Sequence, residues 1–375
     1  LTGAGRFVGG RDLTMTDNPS PSEPLSYAGA LLETMRGALA SNPHSIIMGQ
    51  GVDDFKGTFG TTLGLADEFG AERVMDMPLA EEGMTGIALG ATLNGLYPIT
   101  THIRADFAFL ATNQTINLIA KYKYMFGGLF EVPMLIRAVV GRSWGQGAQH
   151  SQSPQSQFAH VPGLTVIMPA DSQSILDMYP YIVENYRGPV ISIEHRLLYD
   201  LEFNVERGDP NRLENPLTSR LIREGSDVTI VATSIMVLEA RRAAEHLAKT
   251  ASIECEIIDL NSPSHPDADL ILSSVRKTGR LVVADTSWRP YGVAAEICRM
   301  VCENDPSALQ APAVSLGMAP APCPTAKSLE DAYYPNLTDL TDGIARLVVG
   351  REQHGVPLAD ETSMRDVYKS FKGPF

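Results

Sequence analysis

The sequence predicts an α/β protein of two doubly wound domains, each a mainly parallel sheet covered by helices. Three observations predict it. Short apolar, β-branched segments alternate with helix-patterned segments along most of the chain, the signature of strands buried on both faces. The 375 residues exceed what one hydrophobic core usually holds, roughly 250 to 300 residues. A charged stretch with Pro210 and Pro216, "FNVERGDPNRLENPLTSRLIREGSD", interrupts the alternation and has no sustained period.

Residues 1–25, rich in Pro, Ser and Gly, read as a flexible N-terminal arm. The larger domain spans 26–205. It opens with the helix "LSYAGALLETMRGALASNP", then the strand "SIIMGQG" and the helix "TLGLADEFGAERVMDMP" running into a strand. A helix after Glu82, the strand "YPITTHI", the helix "LATNQTINLIAKYKYMF" and the strand "PMLIRAVVG" follow. After a glycine-rich loop come the strand "LTVIMPA", a helix over Ser172 to Asn185 and the strand "PVISIEH". Residues 206–225 form the linker. The smaller domain, 226–348, repeats the alternation from "VTIVATS" to "VAAEICRMVCEN", and 349–375 is a polar tail.

A net charge of -14 disfavours nucleic-acid binding, which needs a basic face. The first residues lack the apolar core of a signal peptide, and no run of about 20 apolar residues occurs, so the expectation is a soluble cytoplasmic protein. The four cysteines are too scattered for a disulfide framework; Cys298 and Cys302 share a helical spacing that suits a metal site, but without a nearby His or second Cys pair they read as buried thiols.

A P-loop, a G-x-S-x-G elbow and an H-E-x-x-H helix are all absent, and "GQGAQH" departs from a dinucleotide fingerprint at its last position. In "DMPLAEEGMTGIALGA", Met84, Ile87, Ala88 and Ala91 give a helix one apolar face, with Glu81 and Glu82 at its start. Such acids complement the helix dipole by roughly 0.3 to 1 kcal/mol. Gly83, Gly86 and Gly90 each sacrifice roughly 1 kcal/mol relative to Ala, which points to close approach by a helix or ligand. In the loop "GRSWGQGAQHSQS", at the carboxyl end of a strand, His150 is either a proton-transfer group or an ordinary loop histidine. Phe107 is either core or a platform for a flat ring.

In order and spacing, "RVMDMPLAEEGMTGIALGATLNGLYPI", "NQTINLIAKYKYMFGG", "AQHSQS", "VPGLTVIMPAD", "GPVISIEHRLLY", "VRKTGRLVVAD", "GVAAEI" and "AYYPN" resemble the β subunits of thiamine-diphosphate-dependent 2-oxoacid dehydrogenases (the E1 component), within the transketolase family. The likeness covers roughly residues 25 to 345. It implies a pyrimidine-binding first domain and a transketolase C-terminal-like second domain. By position, Glu81 matches the glutamate that hydrogen-bonds the pyrimidine nitrogen of thiamine diphosphate. Phe107 matches the aromatic residue on that ring, and His150 the histidine on the substrate side. The chain has no G-D-G motif, so the resemblance implies that the diphosphate and its Mg2+ are bound by an α-type partner, usually in an α2β2 assembly. The glycines would then pack against a neighbouring subunit.

The sequence departs from the family at several points. Gln50 and Gly51 stand where the family has an acidic pair, which weakens the acidic relay between paired sites; Thr101 replaces a glutamate, and Glu82 an apolar residue. "DLNSPSHPD" lacks the family's arginine-containing phrase. Arg104 reads either as selecting an anionic substrate or, more plainly, as half of a surface ion pair. The expected function is decarboxylation of a 2-oxoacid with transfer of the acyl or aldehyde unit, possibly to a lipoyl carrier. Two alternatives stand beside it: a split transketolase-like subunit moving a two-carbon unit, and a silent structural partner of an α-like chain.

Overall fold

The computed structural model describes residues 22–142, 145–207 and 213–359. In the first half the elements run β1 (Ser22–Ser26), α1 (Tyr27–Ser41), β2 (Ser45–Gly49), α2 (Leu65–Phe69), β3 (Val74–Asp76), α3 (Glu81–Leu93), β4 (Tyr97–His102) and α4 (Ala105–Ala108). They continue with α5 (Tyr122–Met125), β5 (Met134–Val140), α6 (Gln155–Ala159), β6 (Thr165–Ile167), α7 (Ser172–Glu184), β7 (Pro189–His195) and β8 (Glu202–Glu206). Strands β2 to β7 form one wholly parallel sheet in the order β3-β2-β4-β5-β7-β6. Every residue of β4, β5 and β7 is buried, so these central strands read as nearly continuous apolar runs rather than alternating ones. One face packs on α1 and α7, the other on α3 and the helical turns that follow β4.

The second half runs β9 (Arg220–Arg223), β10 (Val228–Ala232), α8 (Ile235–Ala251), β11 (Cys255–Asp259), α9 (Ala268–Thr278), β12 (Leu281–Trp288), α10 (Val293–Asn304), β13 (Val314–Met318), α11 (Lys327–Glu330) and α12 (Leu337–Val349). Its sheet has the order β13-β12-β10-β11-β9, parallel except for the antiparallel edge strand β9. Helices α8 and α12 cover one face, α9 and α10 the other. Both halves are therefore doubly wound.

Several expectations change. Residues 22–25 are not a loose arm: they lie in β1, which pairs antiparallel with β8, because the backbone of this short ribbon finds its hydrogen bonds there. Part of the expected linker, Arg220–Arg223, is the edge strand β9, pairing with β11. At the start of the expected tail, Val356 and Ala359 pack on the core of the second half. The arm to residue 21 and the tail from 360 lie outside the described residues. The single helix expected over "LATNQTINLIAKYKYMF" is instead a 3₁₀ turn (Phe109–Ala111), a π-helical stretch (Asn113–Ile119) and α5. The Thr112 hydroxyl donates to the Phe109 carbonyl, the kind of local side-chain bond that competes with the α-helical ladder. Cys298 and Cys302, read as buried, are half-buried and exposed, because α10 buries Val293, Ala294, Ile297, Met300 and Val301 instead.

Candidate functional site

All the candidate residues leave the same edge of the parallel sheet, its carboxyl end, where open α/β sheets bind ligands. After β3 the chain is tied to the end of β2: Met77 N–H donates to the Gly49 carbonyl (3.1 Å), Gly51 N–H to Asp76 Oδ1 (2.7 Å) and Gln50 Nε2 to the Pro78 carbonyl (3.3 Å). Gly49 has no room for a side chain, since a Cβ would lie 2.8 Å from the Thr101 carbonyl oxygen on β4. These ties fix where α3 begins. Glu81 is its first residue and is only 6% exposed, an unusual burial for a carboxylate. Glu82 is exposed and accepts from Gln114 Nε2 at 3.1 Å.

The buried stripe of α3 is Glu81, Met84, Thr85, Ala88, Leu89 and Thr92. Ile87, expected on the apolar face, is 57% exposed; the helix is turned so that its 84/88 and 85/89 rows meet β4 and the 109–119 segment. The three glycines look outward. A Cβ on Gly83 or Gly86 would make ordinary contact at 3.8 and 3.7 Å, and one on Gly90 would meet nothing within 4 Å. Nothing among the described residues accounts for their being glycine.

Beyond β4, Phe107 lies on α4, half-buried and outside every hydrophobic cluster. Its ring meets that of His150 edge to face, with centroids 5.1 Å apart and planes at 85°. Thus the core reading of Phe107 does not hold, and two residues 43 positions apart in sequence form one aromatic pair. His150 sits at the turn of the loop after β5. Gly147 in that loop has φ +72°, and a Cβ there would lie 2.6 Å from Thr325 Oγ1 of the second half.

The loop is anchored at its exit. Ser153 Oγ lies 3.0 Å from Thr286 Oγ1, Gln155 Nε2 donates to Asp285 Oδ1 (2.8 Å), and Thr233 Oγ1 donates to the same oxygen (2.6 Å). The Tyr334 hydroxyl donates to the Ser151 carbonyl (3.3 Å), and Gln152 N–H donates to Asp106 Oδ1 (3.1 Å). The second half thereby holds the loop that carries His150.

Arg104, read as a surface charge, is not at the surface. It is 3% exposed, and burial pushes its guanidinium down to about 10, since the interior penalises the charged form. Burial also lowers His102 to about 4, and burial together with Arg142 and Arg104 lowers His195 to about 3, so both imidazoles are neutral near pH 7. Asp106 is raised by burial. Several buried polar atoms here have no hydrogen-bond partner among the described residues: Thr101 Oγ1, His102 Nδ1, Asp106 Oδ2 and Ser151 Oγ. Sequence reasoning passed over Arg142, His195, Arg196, Asp106 and Asp285; the available signal was that Arg142, His195 and Arg196 each stand at or just past a strand's carboxyl end.

Residues 23–202 match the transketolase pyrimidine-binding domain and residues 218–340 the transketolase C-terminal domain. The β-2 subunit of the mitochondrial pyruvate dehydrogenase E1 component of Oryza sativa subsp. japonica is 36% identical over 327 residues, 87% of this chain and 86% of the relative. The chain belongs to the pyruvate dehydrogenase E1 β family. Other members of the E1 β family include the mitochondrial β subunit of Bos taurus, 35% identical over 84% of this chain and 89% of its own, and the β subunit of the E1 component of Rickettsia felis, 34% identical over 85% of this chain and 96% of its own. A solved structure described as a split-gene transketolase, an inactive β4 tetramer, superposes with a TM-score of 0.68 at 22% identity, covering 87% of this chain and 98% of its own, and so shares the fold. With mitochondrial as well as bacterial members in the E1 β family, the expectation of a cytoplasmic protein finds no support; among the described residues no helix is long and apolar enough to cross a membrane.

Proposed function

We propose that this chain is the β-type subunit of a heteromeric thiamine-diphosphate enzyme that decarboxylates a 2-oxoacid and passes the acyl or aldehyde unit to an acceptor, a lipoyl group being the acceptor that fits the family. The observation that carries the reading is the buried carboxylate of Glu81 at the start of α3, on the sheet edge that also holds the Phe107–His150 pair. The residues suit the cofactor's pyrimidine half. Glu81 would hold a ring nitrogen through a shared proton, and the half-buried Phe107 offers an apolar surface to a flat ring. When bound, thiamine diphosphate supplies a nucleophilic carbon that adds to a 2-oxo group and takes up the electron pair freed by loss of CO2.

His150, held against Phe107 and by a loop anchored on the second half, would orient the substrate and move a proton on its side of the site. Since the chain lacks a G-D-G motif, the diphosphate and Mg2+ belong to an α-type partner, in an α2β2 assembly. The transketolase-like alternative has the shared domain families and a likeness of fold at 22% identity behind it, and fits less well than the E1 β relatives at about 35%. Retention of Glu81, Phe107 and His150 on one sheet edge speaks against a silent partner.

Co-expression with a G-D-G-containing α-type chain, assayed with thiamine diphosphate, Mg2+ and a panel of 2-oxoacids, tests the reading. Turnover is expected only from the pair, and Glu81→Gln is expected to lower kcat by about a hundredfold or more, as loss of a positioned proton-transfer group does. Undiminished turnover by that variant overturns the assignment of Glu81.

A further inference from the structure

The backbone around His150 is gripped on both sides. Its own N–H donates to the Gly147 carbonyl (3.4 Å). Beyond it, a single peptide group is held at both of its polar atoms. The Tyr334 hydroxyl donates to the Ser151 carbonyl (3.3 Å), and the N–H of the same peptide, that of Gln152, donates to Asp106 Oδ1 (3.1 Å). Because a peptide unit is planar, fixing its oxygen and its nitrogen fixes the plane between them. The two partners come from different halves of the chain, Asp106 from α4 and Tyr334 from the segment between α11 and α12. Ser151, Asp106 and Tyr334 are all buried, so little water competes for either bond.

Each partner is itself fixed. Phe107 N–H donates to the Arg104 carbonyl (3.0 Å), closing the turn that carries Asp106. Asp106 and Phe107 are consecutive, so the Asp106–Gln152 bond and the Phe107–His150 ring contact are two rungs joining the same two segments. The Tyr334 ring meets that of Tyr333 edge to face (4.9 Å) and lies under the Arg142 guanidinium (5.2 Å). The backbone beside it is tied as well: Tyr333 N–H donates to the Glu330 carbonyl (3.0 Å), and Ala319 N–H, just past β13, to the Tyr333 carbonyl (2.9 Å). What the grip requires is an acceptor at 106 and a donor at 334, not a charge.

We propose that Asp106 and Tyr334 are a pair of positioning residues that set the peptide after His150 and, through it, hold the imidazole edge-on to Phe107. The inference rests on the reading of His150 above and adds two residues that act only through it. A group that orients substrate or moves a proton must lie within hydrogen-bond reach, and a misplacement of about 1 Å costs up to about a hundredfold in rate.

Tyr334→Phe removes the donor and keeps the ring; Asp106→Leu removes the acceptor, and Asp106→Asn keeps one at Oδ1. The first readout needs no turnover: the NMR resonance of His150 in the full chain labelled with carbon-13 at histidine Cε1, identified by its loss in His150→Gln. Tyr334→Phe and Asp106→Leu are each expected to move it toward its position in the unfolded chain, because the ring leaves its place beside Phe107, with Asp106→Asn between Asp106→Leu and the wild type. In the pair reconstituted with an α-type chain, each disruptive change is expected to lower kcat by about tenfold, and to cost nothing further in the His150→Gln background. Should Asp106→Leu not fold, Tyr334→Phe carries the test. A resonance that stays in place, or a loss of kcat as large without His150 as with it, overturns the proposal. Turnover of a 2-oxoacid with the resonance unmoved by either change sinks this inference and leaves the proposed function standing. A moved resonance with no turnover of any 2-oxoacid does the reverse.

Discussion

Arg137 at the middle of β5 and Glu194, one residue before the end of β7, pair with side chains wholly buried; further on, Arg142 and Arg196 leave the same two strands. In the first pair the opposite charges neutralise each other. Arg137 reaches Glu194 through Nε (2.7 Å) and Nη2 (2.8 Å), and the hydroxyls of Tyr179 (2.7 Å) and Tyr199 (2.6 Å) donate to the same carboxylate. Burial and the Glu194 charge push both tyrosines up, so they stay protonated donors. At the strand ends, Arg142 lies over Tyr334 and donates to the Pro335 carbonyl, and Arg196 lies over Phe59 and Tyr199. Two strands thus carry a charge pair closed on itself and, further on, arginines held against aromatic rings and a backbone carbonyl.

If that contrast is right, the two places answer differently to substitution. Glu194→Gln leaves Arg137 as an uncompensated buried cation and is expected to cost about 3 to 5 kcal/mol in denaturant unfolding. The double change Arg137→Met with Glu194→Leu should cost less than the single changes combined. A loss below about 1 kcal/mol for Glu194→Gln would erase the distinction.

The strand-end cluster predicts an acid limb. His102 and His195 have folded-state values of about 4 and about 3, below the ordinary 6.5, so between those limits the unfolded chain binds more protons. Their contribution to stability is complete above pH 6.5 and declines as the pH falls toward 4, by up to about 1.4 kcal/mol per pH unit for each group. His195→Asn should flatten the limb. Arg142→Gln should shift it slightly, because removing one neighbouring cation raises His195 and lessens the loss. An acid limb unaltered by His195→Asn would show that this imidazole is not held neutral by its surroundings.

The smallest expected effect concerns the outward face of α3. Gly90→Ala should stabilise the isolated chain by about 1 kcal/mol, since a Cβ there meets nothing. The same change is expected to weaken association with an α-type partner, read by analytical ultracentrifugation; unchanged association would remove any role for Gly90 in close packing.

Much of the architecture was legible because a parallel sheet buried on both faces writes itself as apolar runs such as "MLIRAVV", separated by helix-patterned segments. The place of Glu81 at the start of α3 was legible too, as an acid set against an apolar, glycine-bearing helix. What stayed hidden depends on sheet order and long-range pairing. Nothing local says that β1 will join β8 across 180 residues, or that Arg220–Arg223 will edge a second sheet. Arg142 and Arg196 are 54 positions apart and look like ordinary strand-end charges; only the β4-β5-β7 adjacency sets them beside Arg104. The plain reading of Arg104 as a surface charge failed for the same reason, because its burial comes from residues of other strands and of the second half.

The Gln155–Asp285 contact has one further bearing, on recombination between relatives. The loop with His150 begins on a strand of one half and ends on hydroxyl and carboxylate partners of the other. A chimera that takes its second half from another member of the family therefore inherits that member's loop geometry along with its C-terminal sheet. Moving Thr233, Asp285 and Thr286 together with Ser153 and Gln155 is the smallest exchange that keeps the contact intact.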